Sequence, residues 1–212
     1  AAVAIAQHHF DNFNLDLMFA LPGQTLAETR ADVELALALD PPHLSLYQLT
    51  LEPNTVFAKF PPTLPDEDEA AAMQDWLEAR TAQAGYRHYE VSAYARPGRA
   101  ARHNLNYWAF GDYLGIGAGA HGKLSFPHRV VRQVRFRNPQ AYLDHAARGL
   151  FVAESTEVGR ADLPFEFMLN ALRLSDGVPA GLFSERTGLP LSAIEPALAA
   201  AEARGLLRRD HL

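Results

Sequence analysis

The sequence predicts an α/β chain that ends in a small, purely helical segment, and three observations carry that prediction. Short apolar runs alternate with amphipathic stretches over the first half. Pro and Gly punctuate those runs at spacings typical of strand–helix–strand units. From about Ser155 onward only helical periodicity remains.

The first apolar run, Phe13–Ala20, ends at Pro22-Gly23 and reads as a buried strand. A helix follows. Thr25 and Glu28 have the spacing of a capping box, and Leu26, Val33 and Leu37 share one face until Pro41-Pro42 stops the pattern. HLSLYQLTLEP gives a second strand, with Leu44 and Leu46 alternating against Ser45 and Tyr47. Strand, helix and strand joined by short breaks make a βαβ unit, for which parallel pairing is expected. Asp66 with Glu69 opens another helix, whose Met73, Trp76 and Leu77 form the apolar stripe and which Gly85 ends. YEVSAYA, Tyr89 to Ala95, reads as a further strand.

RVVRQVRFR alternates. Val130, Val134 and Phe136 fall on one side, and Arg129, Gln133, Arg135 and Arg137 fall on the other, as in a half-exposed strand. In the helical segment, Phe165, Met168, Leu169 and Leu172 mark one apolar face. A short helix covers Leu182–Thr187, and Ser192 with Glu195 caps a last helix reaching Arg204. GLLRRDHL then opens what reads as a strand, giving the pattern of a winged helix cut before its wing.

Composition narrows the function classes. The chain of 212 residues contains no cysteine, which excludes disulfides and thiolate ligands within it. Its formal charge of −6 gives no general attraction to nucleic acid or anionic lipid. The helical segment carries six arginines against eight acids, and Glu195 and Glu202 sit on its would-be recognition helix. Phosphate contacts need the opposite balance. No apolar run approaches the roughly 20 residues that span a bilayer, and AAVAIAQHHF lacks the basic start of a signal peptide. Its Ala/Val/Ile-rich opening reads as the end of a buried helix of a longer protein, in a cytoplasmic setting.

Four features carry chemistry. GAGAHG (Gly117, Gly119, Gly122) satisfies the dinucleotide pattern G-x-G-x-x-G, and Asp144 stands about where an acidic partner would be, but strand-like alternation follows instead of a helix. Asp16 lies between Leu15 and Leu17 in the first strand. There it is either a buried, hydrogen-bonded carboxylate or a ligand-facing group, with Thr50 at the end of the next strand. His103 sits near Tyr107, Trp108, Phe110 and Tyr113, company that suits an axial haem ligand as well as a surface histidine. The arginine row from Arg129 to Arg137 suits phosphates or propionates, or is a solvated sheet face.

Taken together, NLDLMFALPGQT, PPHLSLYQLTLEPNT, YEVSAYA, HNLNYW and GIGAGAHGK resemble the HemW-type haem chaperones, radical S-adenosylmethionine proteins related to oxygen-independent coproporphyrinogen III oxidase. The resemblance runs unbroken over essentially the whole chain. It implies the C-terminal part of a partial (β/α) barrel with its extension over residues 1–154, then a small, truncated helical domain over 155–212. It also implies that Asp16 contacts S-adenosylmethionine, with Thr50, Ala120 and His121 as further contacts. H-N-x-x-Y-W marks the chaperone branch and makes His103 the candidate ligand of haem iron, with Tyr107 and Trp108 beside the macrocycle. Haem would pass to acceptor haemoproteins, including respiratory, membrane-associated ones. The alternative the resemblance leaves is the oxidase itself, which decarboxylates coproporphyrinogen III. The family's 4Fe–4S cluster hangs on a C-x-x-x-C-x-x-C run that this chain lacks. The segment is therefore expected to bind no cluster and to be inactive alone.

Overall fold

The computed structural model describes residues 2–210, and it forms two compact units that divide between Ala101 and Arg102. The first is built on a four-stranded sheet: β1 (Asn14–Phe19), β2 (His43–Gln48), β3 (Arg87–Glu90) and β4 (Ala93–Ala95), in the order β1-β2-β4-β3. β1 and β2 run parallel, with Asn14 opposite His43 and Asp16 opposite Ser45, as the βαβ pattern requires. The helices preceding β3 are α1 (Ala2–His9), α2 (Leu26–Ala38), the single turn α3 (Val56–Lys59) and α4 (Glu67–Gln83). Both capping boxes form: Thr25 with Glu28 on α2, and Asp66 with Glu69 on α4. Each satisfies two backbone N–H groups that would otherwise lack partners.

One face of the sheet is sealed by α2 and α4. Phe19, Leu44, Leu46 and Tyr94 pack there against Val33, Ala36, Met73 and Leu77, with Leu15 and Leu17 partly buried beside them. Because strand side chains alternate, Asn14, Asp16, His43 and Ser45 must then lie on the opposite face.

Two expectations change in this unit. YEVSAYA is two strands: the chain turns at Val91-Ser92, so β3 and β4 pair antiparallel, with a bulge between His88 and Glu90. β4 also runs antiparallel to β2. Polar Glu90 and Ser92 interrupt the apolar run, and the backbone N–H of Ser92 donates to the Glu90 carboxylate, which fixes the turn. The opening residues do form a helix, α1, but it buries none of its side chains.

The second unit begins with α5 (Arg102–Trp108) and continues into an antiparallel sheet of β5 (His121–Phe126), β6 (Arg129–Arg135) and β7 (Val152–Glu157). A helix, α6 (Pro139–Ala146), connects β6 to β7. The boundary expected at 154/155 runs through β7, which is paired with β6. Three helices follow: α7 (Leu163–Ala171), α8 (Gly181–Thr187) and α9 (Glu195–Ala203). Their core joins Phe167, Phe183, Ile194 and Leu198 to Val130 and Phe110.

Here the apolar face of α7 differs from most of the expectation. Leu163, Phe167 and Ala171 are buried with Met168 partly buried beside them, whereas Phe165 and Leu169 are 70% and 61% exposed and Leu172 is also exposed. The two sets lie on opposite sides of an apolar helix, and periodicity alone does not choose between them. The helix expected to start at Ser192 is a 3-10 turn (Leu191–Ala193) followed by α9, because Pro196 enters only the first turn of an α-helix and Ile194 takes the cap position. Arg135 is buried at 3% exposure rather than solvated; its Nε donates to the Gly115 carbonyl at 2.8 Å and its guanidinium stacks on Phe151. Residues 206–210 form no strand, and His211 and Leu212 of the expected strand lie outside the described residues.

Candidate functional site

HNLNYW folds as the body of α5, and what ends that helix builds the site. Phe110 takes a left-handed backbone at φ 55°, and the N–H of Gly111 returns to the Asn106 carbonyl at 2.7 Å. A Cβ on Gly111 would stand 2.0 Å from Asn106 Oδ1, so no other residue fits there. Asn106 in turn donates to the Asp112 carbonyl at 2.9 Å.

The turn directs Tyr107, Trp108 and Phe110 towards β5. Together with Tyr113, His121, Lys123 and Arg132 they line a cavity of about 410 Å³. Its aromatic rings meet edge to face: Tyr107 lies 4.6 Å from Tyr113 and 6.4 Å from Trp108, and His103 lies 6.3 Å from Tyr107 on the preceding turn. Arg173 stacks over the Trp108 ring at 4.2 Å. The Trp108 indole nitrogen is buried and has no hydrogen-bond partner among the described residues, an uncommon state for a buried donor. Three residues predicted from sequence, Tyr107, Trp108 and His121, thus converge on one cavity. His103 lies outside its lining, exposed on α5.

Sequence reasoning missed Lys123. It is 1% exposed, and its Nζ donates to the Phe110 carbonyl at 3.0 Å, Asp112 Oδ1 at 2.9 Å and Ser125 Oγ at 2.8 Å. Burial lowers its pKa, against the opposing pull of Asp112. Asp112 is itself held below the usual carboxylate range: its own desolvation acts to raise it, but the Ser125 hydroxyl, the Ser125 N–H and the Lys123 ammonium together outweigh that. A lysine in a strand that otherwise reads as polar gave no signal of burial. Arg132 is also committed, to Glu166 at 2.6 Å and to the Tyr113 hydroxyl at 3.0 Å.

The glycine-rich tail has a structural role that needs no nucleotide. Gly115 runs so close to β5 that a Cβ there would come within 2.3 Å of the His121 carbonyl oxygen. β5, not a helix, begins at His121. Both backbone polar groups of Ala120 are used internally: its N–H on Gly117 and its carbonyl by the Arg135 N–H.

In the first unit, Asp16 is exposed on β1 rather than buried between its apolar neighbours, since Leu15 and Leu17 turn to the helices and Asp16 turns away. Asn14 donates to its carboxylate at 2.6 Å. Thr50 stands two residues beyond the end of β2, exposed, with its hydroxyl on Glu52 at 3.0 Å. Among the described residues, no group of three or more His, Asp or Glu side chains forms a metal site.

Residues 158–211 match the HemN C-terminal domain family. The chain is 46% identical over 197 residues to the haem chaperone HemW of Escherichia coli, covering 92% of this chain and 51% of that one. It is 49% identical over 185 residues to HemW of Haemophilus influenzae (87% and 47% covered), and 35% identical over 194 residues to HemW of Bacillus subtilis (89% and 50%). The solved structure of coproporphyrinogen III oxidase (HemN) from Escherichia coli, described as a radical SAM enzyme, superposes with a TM-score of 0.75 at 17% identity, over 99% of this chain and 53% of that one. That likeness establishes the fold, a mixed α/β architecture with a helical C-terminal part. The chain spans about half the length of the curated relatives it matches. By sequence over nine-tenths of its length, the chain is similar to proteins named haem chaperone HemW.

Proposed function

We propose that the chain is the haem-handling half of a haem chaperone, which binds haem as cargo and passes it to acceptor haemoproteins. The observation that carries the reading is the aromatic cavity under α5, where Tyr107, Trp108 and His121 converge beside the exposed imidazole of His103. A cavity of about 410 Å³ is within the range of small-molecule sites. Flat rings suit a flat macrocycle, and an exposed imidazole can ligate iron without breaking an internal bond. His103 would be the iron ligand, with Tyr107 and Trp108 against the ring.

The sheet face of the first unit suits S-adenosylmethionine. Asp16 is an exposed carboxylate able to accept from the cofactor's hydroxyl or ammonium groups, and Thr50 lies at the C-terminal end of β2, where α/β folds bind ligands. Ala120 and His121 remain proposed contacts. The backbone of Ala120 is already bonded, so of the two His121 offers the contact through its exposed imidazole. The 4Fe–4S cluster does not fit the residues present, because none of the 212 is cysteine; its ligands would belong to the other half of a full-length protein. None of the described helices is long and apolar enough to cross a membrane, and a cytoplasmic place is part of the same proposal.

The chaperone is preferred to the oxidase because identity is 35–49% to the three chaperones named and 17% to the oxidase. The test is anaerobic incubation of full-length, cluster-loaded protein with coproporphyrinogen III and S-adenosylmethionine, alongside a haem titration. Stoichiometric haem binding without protoporphyrinogen IX is expected. Catalytic formation of protoporphyrinogen IX would overturn the reading.

A further inference from the structure

The exposed Asp16 carboxylate is the end of a hydrogen-bonded row that crosses the whole sheet. Asn14, two residues earlier on the same strand and therefore on the same face, donates its amide to Asp16 at 2.6 Å and to Ser45 Oγ at 2.9 Å. Its carbonyl oxygen meets His43 Nδ1 at 2.7 Å, and His43 Nε2 meets the Tyr89 hydroxyl at 2.8 Å. The Tyr89 oxygen accepts the Ala101 N–H at 3.3 Å.

Donor and acceptor roles along this row are fixed from its exposed end. An ionised carboxylate only accepts, so the Asn14 NH₂ faces Asp16 and its carbonyl faces His43. His43 must then carry a proton on Nδ1, and in the neutral ring Nε2 accepts from Tyr89. The sheet is shaped to allow this. β4 lies between β2 and β3, so His43 and Tyr89 are two strands apart, about 10 Å by ordinary strand spacing. Ala93 and Ala95 on the intervening strand are small enough for the two rings to meet over them, and Tyr89 sits in the β3 bulge, which re-aims its side chain. His43 and Ser45 are buried at 3% exposure while Asp16 is open. His43, Ser45 and Tyr89 are buried, and through the exposed Asn14 they end on one exposed carboxylate, which the row holds still.

We infer that Asn14 and His43 are positioning residues for a cofactor bound at Asp16: His43 orients the Asn14 amide, and the amide fixes the carboxylate. This rests on the proposed role of Asp16 toward S-adenosylmethionine. The experiment measures S-adenosylmethionine affinity by equilibrium dialysis in full-length, cluster-loaded protein, with thermal unfolding and haem affinity recorded for every variant. Asp16→Asn, Asn14→Leu and His43→Leu are each expected to weaken binding about tenfold or more, the scale of a hydrogen bond to a charged group. His43→Asn, whose amide can stand in for the Nδ1–H donor, is expected to stay within about threefold of the parent. Haem affinity should not move in any of them. If His43→Leu fails to fold, Asn14→Leu against His43→Asn decides. Loss of affinity in Asp16→Asn alone would overturn the positioning role and leave the Asp16 reading standing. Unchanged affinity in Asp16→Asn would overturn both.

Discussion

Lys123 Nζ, wholly buried, lies 2.9 Å from Asp112 Oδ1 while the Asp112 side chain remains 41% exposed. The pair ties the turn after α5 to β5, because the same ammonium also takes the Phe110 carbonyl. It therefore fastens together two residues of the aromatic cavity's lining, Phe110 and Lys123. Lys123→Met keeps the volume but leaves that carbonyl and the Ser125 hydroxyl without their donor. Its expected cost is about 2–4 kcal/mol, read from denaturant unfolding with the slope unchanged.

The same pair sets a response to acid. The folded-state pKa of Asp112 lies below its unfolded value, so its contribution is present above the ordinary carboxylate range and is lost as pH falls through the folded value. Thermal unfolding of the wild type should drop as pH falls below the ordinary carboxylate value of about 4, and Asp112→Asn should flatten that part of the profile.

Tyr94 predicts the opposite arm. Its side chain is 1% exposed, and burial pushes its pKa up to about 12 from 10.0, with the nearby Glu78 adding to the rise. The unfolded chain ionises first, so stability is full below pH 10 and falls as pH rises towards 12. The phenolate absorbance of Tyr94, isolated by comparison with Tyr94→Phe, should appear near the upper value.

Gly111→Ala tests whether the close contact at Asn106 shapes the site. The new methyl would overlap the Asn106 side chain and backbone, and the turn must move. Haem affinity is expected to fall at least about tenfold while the far-ultraviolet circular dichroism is retained.

How much of this was legible in sequence follows from which forces act locally. Capping boxes at Thr25 and Asp66, and the parallel β1–β2 pair, depend on near neighbours and were readable. The Tyr89–Ala95 hairpin was not, because its turn uses Val91-Ser92 instead of Gly or Pro. The buried faces of α7 and the burial of Arg135 and Lys123 depend on tertiary partners that no window of sequence contains. In the site, the aromatic cluster was visible as composition, but its convergence with His121 required the return of β5. The row from Asp16 to Tyr89 draws side chains from three strands and crosses a fourth, and only register reveals it.

The proposed role of His103 on α5 as the haem-iron ligand is tested most directly by a haem titration of full-length His103→Ala followed by its Soret band. Loss of the parent Soret position with affinity reduced about tenfold or more is the predicted result. A Soret band and affinity identical to the parent would contradict it.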